Sequence, residues 1–286
     1  LRNRVSSTVY EDSDDGNVNT YDNACHYSYD IHGNVNVYIK ENTHLALLGP
    51  GRKKITYEYD LISGNVNFVH YEPGSLEAFH HQYFYDADNR ITEVFSSLDN
   101  VIWERESKYF YYPHGPLARM ETGDKQVQGN DYVYTIHGWI KGVNSNTLNT
   151  SRDPGKDAMT TGINRHFGTD ASGYTLNYYL TQGYLFPSSS LVSTGDYKSI
   201  GALSTTSNFE AGVTGSGYIA QGNSLFNGNI MGMVTALTKP DQTKLDVQGM
   251  AYKYDQLNRI RTSRSNRNID MVNNVWTAAA GDATYD

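Results

Sequence analysis

Tyr83-Phe84-Tyr85-Asp86-Ala87-Asp88-Asn89-Arg90-Ile91 is the stretch that decides the fold. Two tyrosines two positions apart share one face of an extended strand. The aspartate that follows has a side-chain oxygen able to accept backbone N–H groups further along, which closes a turn. Asn89 then tolerates a left-handed backbone that most residues adopt only at a cost, and Ile91 opens a second strand. The nine residues read as the tip of a β-hairpin.

The same pattern recurs on both sides of this stretch. Further aromatic pairs stand at Tyr27/Tyr29, Tyr57/Tyr59, Phe110/Tyr112, Tyr132/Tyr134 and Tyr252/Tyr254. Asp30, Asp60 and Asp255 follow three of them directly. Gly33, Gly64, Gly115, Gly138 and Asn258 occupy the turn, and Val35, Val66, Leu117, Ile140 and Ile260 come after it. Tyr285-Asp286 reads as the start of another copy. From Tyr29 onward the second aromatics lie 30, 26, 27 and 22 residues apart, then 120 and 31. That period is too short for a four-stranded propeller blade and suits one long hairpin per unit. Val35 to Lys40 alternates as a half-buried strand does. Stacked units are expected to align their rings as a ladder, with cross-strand contacts of about 0.2–1 kcal/mol per pair. The tyrosines read as core and the aspartates as turn caps.

Composition supports an all-β protein. Leu, Ile, Val and Phe make up only about a fifth of the 286 residues, close to the range of disordered chains. The formal net charge is only −8, however, and 24 Tyr enlarge the set of side chains that can form a core. Tyr, Asn and 26 Gly are poor material for helix bundles and good material for strands and turns. No apolar stretch is long enough to span a bilayer as a helix, so any membrane association is expected to be peripheral. The single Cys25 excludes an internal disulfide and a cysteine-based zinc site. A pI near 5.6 argues against nucleic acid as a partner. Neither end reads as a natural terminus with targeting information, which suggests a fragment.

Tyr29-Asp30-Ile31-His32-Gly33-Asn34-Val35, Tyr85 to Ile91 and Tyr254-Asp255-Gln256-Leu257-Asn258-Arg259-Ile260 resemble the YD repeats of the RHS-repeat family. Longer stretches, Tyr57 to Pro73, Tyr109 to Met120 and Gly138 to Asn146, resemble RHS-repeat proteins of Bacteroidetes-type bacteria. The resemblance covers most of residues 20–145 and 225–286. It implies a long antiparallel β-sheet that spirals into a hollow cocoon, part of a large secreted or surface protein that can enclose a C-terminal toxin. Related repeats occur in the shells of ABC toxins and in teneurin adhesion proteins. The family's core region, which caps the shell and releases the cargo, is not visible in this sequence. A complete shell also needs many more units. The exposed edges of a partial spiral are expected to pair with further repeats of a longer chain or with another protein.

Three regions follow: a hairpin array over residues 1–141, an irregular Gly- and Ser-rich insertion with divergent repeats over 142–250, and further repeats over 251–286. In the insertion, Leu176 to Leu180 and Met231 to Leu237 read as strands. Asn227-Gly228-Asn229-Ile230 reads as a degenerate repeat turn, and Asp157 to Arg165 as a short helix.

No catalytic, metal or cofactor site stands out. Asp153-Pro154-Gly155 reads as a plain turn, because the continuation that an Asp-Pro cleavage motif needs is missing. The nine histidines, including the adjacent His80-His81, read as surface turn residues. His32, His114 and His137 each precede a turn glycine. A glycosidase needs a unique carboxylate pair, whereas Asp30, Asp60, Asp86 and Asp255 repeat at every turn. Glu104 and Glu106 share a strand face without a third partner. Gly215-Ser216-Gly217 lacks the context of a nucleophile elbow. Arg259, Arg261, Arg264 and Arg267 read as a solvated strand edge. The expected function is non-catalytic: a shell segment that encloses or presents cargo, outside the cell or on the bacterial surface. The alternatives are a cell-surface adhesion module or partner of an outer-membrane or secretion complex, and, last, a carbohydrate-active enzyme.

Overall fold

The computed structural model describes residues 3–12, 21–44, 49, 51–178, 227–270 and 275–284. The described fold is all-β and antiparallel, with no α-helix among these residues. Two compact units are present: residues 1–109 with 122–124, and residues 110–121 with 125–286. They divide near residue 110.

The first unit contains β1 (Ser7–Tyr10), β2 (Asn23–Tyr29), β3 (Val35–Asn42), β4 (Arg52–Tyr59), β5 (Val66–Tyr71), β6 (Phe79–Tyr85), β7 (Ile91–Ser97) and most of β8 (Glu104–Tyr111). From β1 to β8, each strand pairs antiparallel with the next. The second unit contains nearly all of β9 (Leu117–Thr122), then β10 (Gln128–Tyr134), β11 (Ile140–Val143), β12 (Ser172–Asn177), β13 (Gly232–Leu237), β14 (Gln248–Tyr254), β15 (Ile260–Asp270) and β16 (Val275–Thr284). From β10 onward its strands also pair antiparallel in chain order.

A bulge recurs beside five of the turns. Tyr29, Tyr59, Tyr85, Tyr134 and Tyr254 each pair with the first residue of the outgoing strand, and the residue after that one is skipped. Each bulge adds local right-handed twist. The two units differ in core. Of the large apolar side chains that are fully shielded, Leu148, Phe167, Tyr178, Met231 and Val234 all belong to the second unit. In the first unit, strand positions on both faces remain half-exposed.

In the insertion, β13 coincides with the expected strand at Met231 to Leu237, whereas β12 lies earlier than expected and shares only Leu176 and Asn177 with the stretch Leu176 to Leu180. Tyr179 and Leu180, the run Ser188 to Ser190, and Gly215 to Gly217 lie outside the described residues, as do Leu45 to Leu48 and Tyr285-Asp286. Residues 157–165 form turns instead of the expected helix. Ala158 (φ 54°) and Gly162 (φ 117°) are left-handed there. Nearby, short polar side chains take the backbone donors that a helix would use. Ser145 Oγ accepts the Asn149 N–H (3.1 Å), and Asn149 Oδ1 accepts that of Ser151 (3.0 Å). This loop is tied to the sheet by Asn144, whose Oδ1 accepts the Asp131 N–H (2.7 Å) while its Nδ2 donates to Ser172 O (3.0 Å). Gly173 in β12 runs so close to the Ser145 carbonyl that any Cβ would collide with it.

Candidate functional site

The recurring turn is one hydrogen-bonded device. In three copies the aspartate N–H donates to the carbonyl four residues on, and its own carbonyl accepts the N–H three residues on: Asp30 with Asn34 and Gly33, Asp86 with Arg90 and Asn89, Asp255 with Arg259 and Asn258. The Oδ1 atom of each also accepts two backbone N–H groups, from His32 and Asn34, from Asp88 and Arg90, and from Leu257 and Arg259, at 2.8–2.9 Å. The other oxygen takes a side-chain donor: Asn34 Nδ2, Arg90 Nε or Arg259 Nε. Asp60 has one more residue in its loop and holds Ile62 and Ser63 instead. Gly33, Gly64, Asn89, Gly115, Gly138 and Asn258 all have φ between 60° and 117°, the left-handed conformation that the turn requires.

These bonds hold the aspartates charged. The Arg90 N–H and guanidinium beside Asp86, and the matching Arg259 groups beside Asp255, keep both carboxyls below the ordinary range. The Ser63 and Ile62 N–H groups do so for Asp60. At Asp30 burial works in the opposite direction, but bonds from Asn34, Gly33 and His32 outweigh it.

The second tyrosine of a unit locks it to its neighbour. The hydroxyls of Tyr59, Tyr85 and Tyr254 donate to the carbonyls of Val35 (2.8 Å), Val66 (2.7 Å) and Ile230 (2.7 Å), the post-turn aliphatic residues of adjoining strands. Tyr29 does the same to Val5 (2.7 Å). Burial raises the phenol pKa of Tyr59, Tyr85 and Tyr254. The expected ladder of stacked rings does not form among the described residues. Successive turns are two strands apart, about 9.6 Å at ordinary spacing, which is too far for rings to stack but within reach of a hydroxyl on the next strand. Observed ring contacts are local, such as Tyr27 with Tyr38 (5.4 Å) and Tyr57 with Tyr59 (6.4 Å). Tyr112 with Tyr134 (6.3 Å) joins two repeats.

The fourth copy is offset by one residue from its expected register. Tyr112 occupies the aspartate position, with its N–H on Pro116 O and its carbonyl on the Gly115 N–H. The strand-face pair is therefore Tyr109/Tyr111, and Phe110 points outward at 40% exposure. Thr135 fills the same position before Gly138, its Oγ1 accepting the Trp139 N–H. Tyr83 and Tyr252 lie on β6 and β14 as expected.

Two repeat elements escaped the sequence pattern. Tyr178, almost fully buried against Trp139, donates to Ile140 O (2.9 Å) like the other lock tyrosines. Asn3, with φ 64°, precedes Arg4 and Val5 in the order Asn89-Arg90-Ile91 takes. That order was the available signal.

Several polar residues depart from their expected surroundings. His70 and His80 are buried within strands and share an Nδ1···Nδ1 hydrogen bond of 2.7 Å, and His81 lies beside them in β6. Burial and the neighbouring His70 lower the pKa of His80. His32, His114 and His137 are exposed turn residues. Glu106 is hydrogen-bonded to Ser96. β15 lies between β14 and β16, so its arginines are not on a sheet edge, and Arg261 is the bulge residue.

Asp153 sits in a turn, as expected, and is only 2% exposed. Arg119, from β9, stands at the centre of this region. Its Nη1 pairs with Asp131, its Nη2 with both oxygens of Asp157 (2.9 and 3.1 Å), and its Nε with Glu121 (3.1 Å), while its plane covers Phe167 at 4.5 Å. Gly129 and Gly155 let the backbone approach, since a Cβ at either would collide with this guanidinium and its carboxylates. Burial pushes Asp131 up to about 7, against the pull of Arg119. Burial, then the charge of Asp153, pushes Asp170 up to about 9.

No protein-family model and no curated protein matches the sequence. Among solved structures, the chain is similar to TcdB2-TccC3 without its hypervariable C-terminal region, with 9% identity, a TM-score of 0.43, and coverage of 89% of this chain and 12% of that one. It is similar to the Photorhabdus luminescens Tc holotoxin pore, with 11% identity, a TM-score of 0.42, and coverage of 86% and 11%. A porin-like protein from Bacteroides uniformis aligns at 11% identity and a TM-score of 0.29, with coverage of 92% and 86%. The chain thus spans about a ninth of the first two. The class defined by the fold and the repeating turn is an antiparallel β-hairpin repeat protein.

Proposed function

We propose that this chain is a wall segment of an RHS-type shell, non-catalytic, that encloses or presents cargo in a larger extracellular or surface protein. The observation that carries this reading is that the repeated polar groups are consumed internally. The turn aspartates spend their oxygens on their own loops, and the lock tyrosines spend their hydroxyls on neighbouring strands. Such residues hold strands together and have little left for substrate chemistry. The exposed β1 pairs only with β2 among the described residues, and the first unit shields few large apolar side chains. Both features suit a sheet completed by more repeats or by another chain.

Sedimentation of the isolated chain over a concentration series tests this. Self-association through the open edge is expected, whereas a monodisperse monomer at every concentration would overturn the reading. Hydrolysis of any polysaccharide in a substrate panel would overturn its non-catalytic part.

One observation favours recognition of a protein partner as the second reading. Ile62, Leu76, Val101 and Ile102 stand at loop tips of the first unit with at least two-thirds of their surface exposed.

A further inference from the structure

The turn aspartates are accounted for by their own loops, but the buried ones in the second unit are not. Asp131, Asp153 and Asp157 are all buried, and each offers a carboxylate oxygen within 4.8 Å of the others. Arg119 supplies one positive charge, spread over Asp131, Asp157 and Glu121. Asp153 is not one of these partners. A fourth carboxylate, Asp170, comes from the far end of the loop and is 7% exposed. It lies close enough to Asp153 to interact directly. Asp153 Oδ1 and Asp170 Oδ1 are both buried without any hydrogen-bond partner. Buried carboxylates this close in a low-dielectric interior repel unless a positive charge or a shared proton lies between them.

We propose that Asp131, Asp153, Asp157 and Asp170 bind a divalent cation of the Ca2+ class, which ties the 144–171 loop to β10. The donor set consists only of carboxylate oxygens, the ligands of hard cations rather than of zinc or copper. Oxygens of Asp131, Asp153 and Asp157 within 4.8 Å of one another are near enough to share one ion at Ca–O bonds of about 2.4 Å. Mg2+ demands shorter, near-octahedral bonds and keeps more water, so it should bind more weakly. Gly155 completes the cradle, since the turn between Asp153 and Asp157 reaches Asp131 only because no Cβ intervenes. Arg119 positions two of the ligands, Asp131 and Asp157, by its hydrogen bonds to them.

The test uses the full chain, stripped of metal with a chelator and then titrated with CaCl2, MgCl2 or MnCl2 by calorimetry and by thermal melting. One Ca2+ per chain is expected to bind, with a melting point raised by several degrees and reversed by chelator. Asp153→Asn with Asp170→Asn should weaken binding at least tenfold, while Asp241→Asn, in an exposed turn, should leave it unchanged. The absence of both heat and melting shift on the unaltered chain, up to about 10 mM of each ion, would overturn the proposal. So would undiminished Ca2+ binding by the folded double variant. If Asp170→Asn alone raises the melting point and Ca2+ has no effect on the unaltered chain, a shared proton bridges the pair and the proposal fails.

Discussion

The phenol oxygen of Tyr85 reaches the Val66 carbonyl at 2.7 Å, while its ring covers strand surface. These contributions can be separated. Tyr85→Phe removes only the hydrogen bond and should cost about 1 kcal/mol in chemical denaturation. Tyr85→Ala also removes the ring and should cost about 2–4 kcal/mol, on the scale of partly buried aromatic truncations. Equal effects of the two would show that the ring makes no packing contribution. At Asp86 the working group is the charge. Its carboxyl is held below the ordinary range by Arg90 and Asp88, so its contribution is complete above the unfolded value of about 4 and is lost as pH falls below it. Asp86→Asn should therefore be less stable than the parent at neutral pH, with the difference shrinking under acid. A constant difference from pH 7 to pH 2 would contradict this.

At the scale of the element, the turn sets the hairpin through its left-handed residue. Asn89, at φ 60°, can be replaced by glycine with little loss, but Asn89→Val should cost at least about 1–2 kcal/mol, since a β-branched residue fits that conformation poorly. Melting of the two variants checks it. In the 144–171 loop the decisive element is a side chain from another strand. In the chelator-treated chain, Arg119→Ala would leave Asp131 and Asp157 as buried carboxylates without a counter-charge and should cost about 3–5 kcal/mol. A loss below about 1 kcal/mol would mean that the loop is held mainly by Asn144. Chain-neighbour pairing and the recurring tyrosines made the hairpins legible in sequence. The fourth register was misjudged because Tyr109-Phe110-Tyr111-Tyr112 offers two aromatic pairs one residue apart. Only the turn's hydrogen bonds, Tyr112 to Pro116 and to Gly115, choose between them.

At the scale of the molecule, each unit gains from its neighbours, as repeat arrays do. The tyrosine locks are the means, since each joins strands belonging to different hairpins. The exposed aliphatic loop tips contribute nothing comparable to folding. Ile62→Ser and Leu76→Ser should change stability by less than about 0.5 kcal/mol. If those tips meet a protein partner, the same changes should weaken binding to that partner while leaving self-association through the sheet edge unchanged.

The sequence by itself determined the all-β class, the hairpin unit and its turn chemistry, because the interacting groups lie within about five residues of each other and repeat. It did not determine that the rings interlock by hydroxyls rather than by stacking, since that depends on the two-strand spacing between turns. Nor could it show Asp153 as anything but a turn residue. Arg119 and Asp157 are 38 positions apart, and only the folded loop removes water from around them, which turns ordinary polar residues into a concentrated buried charge.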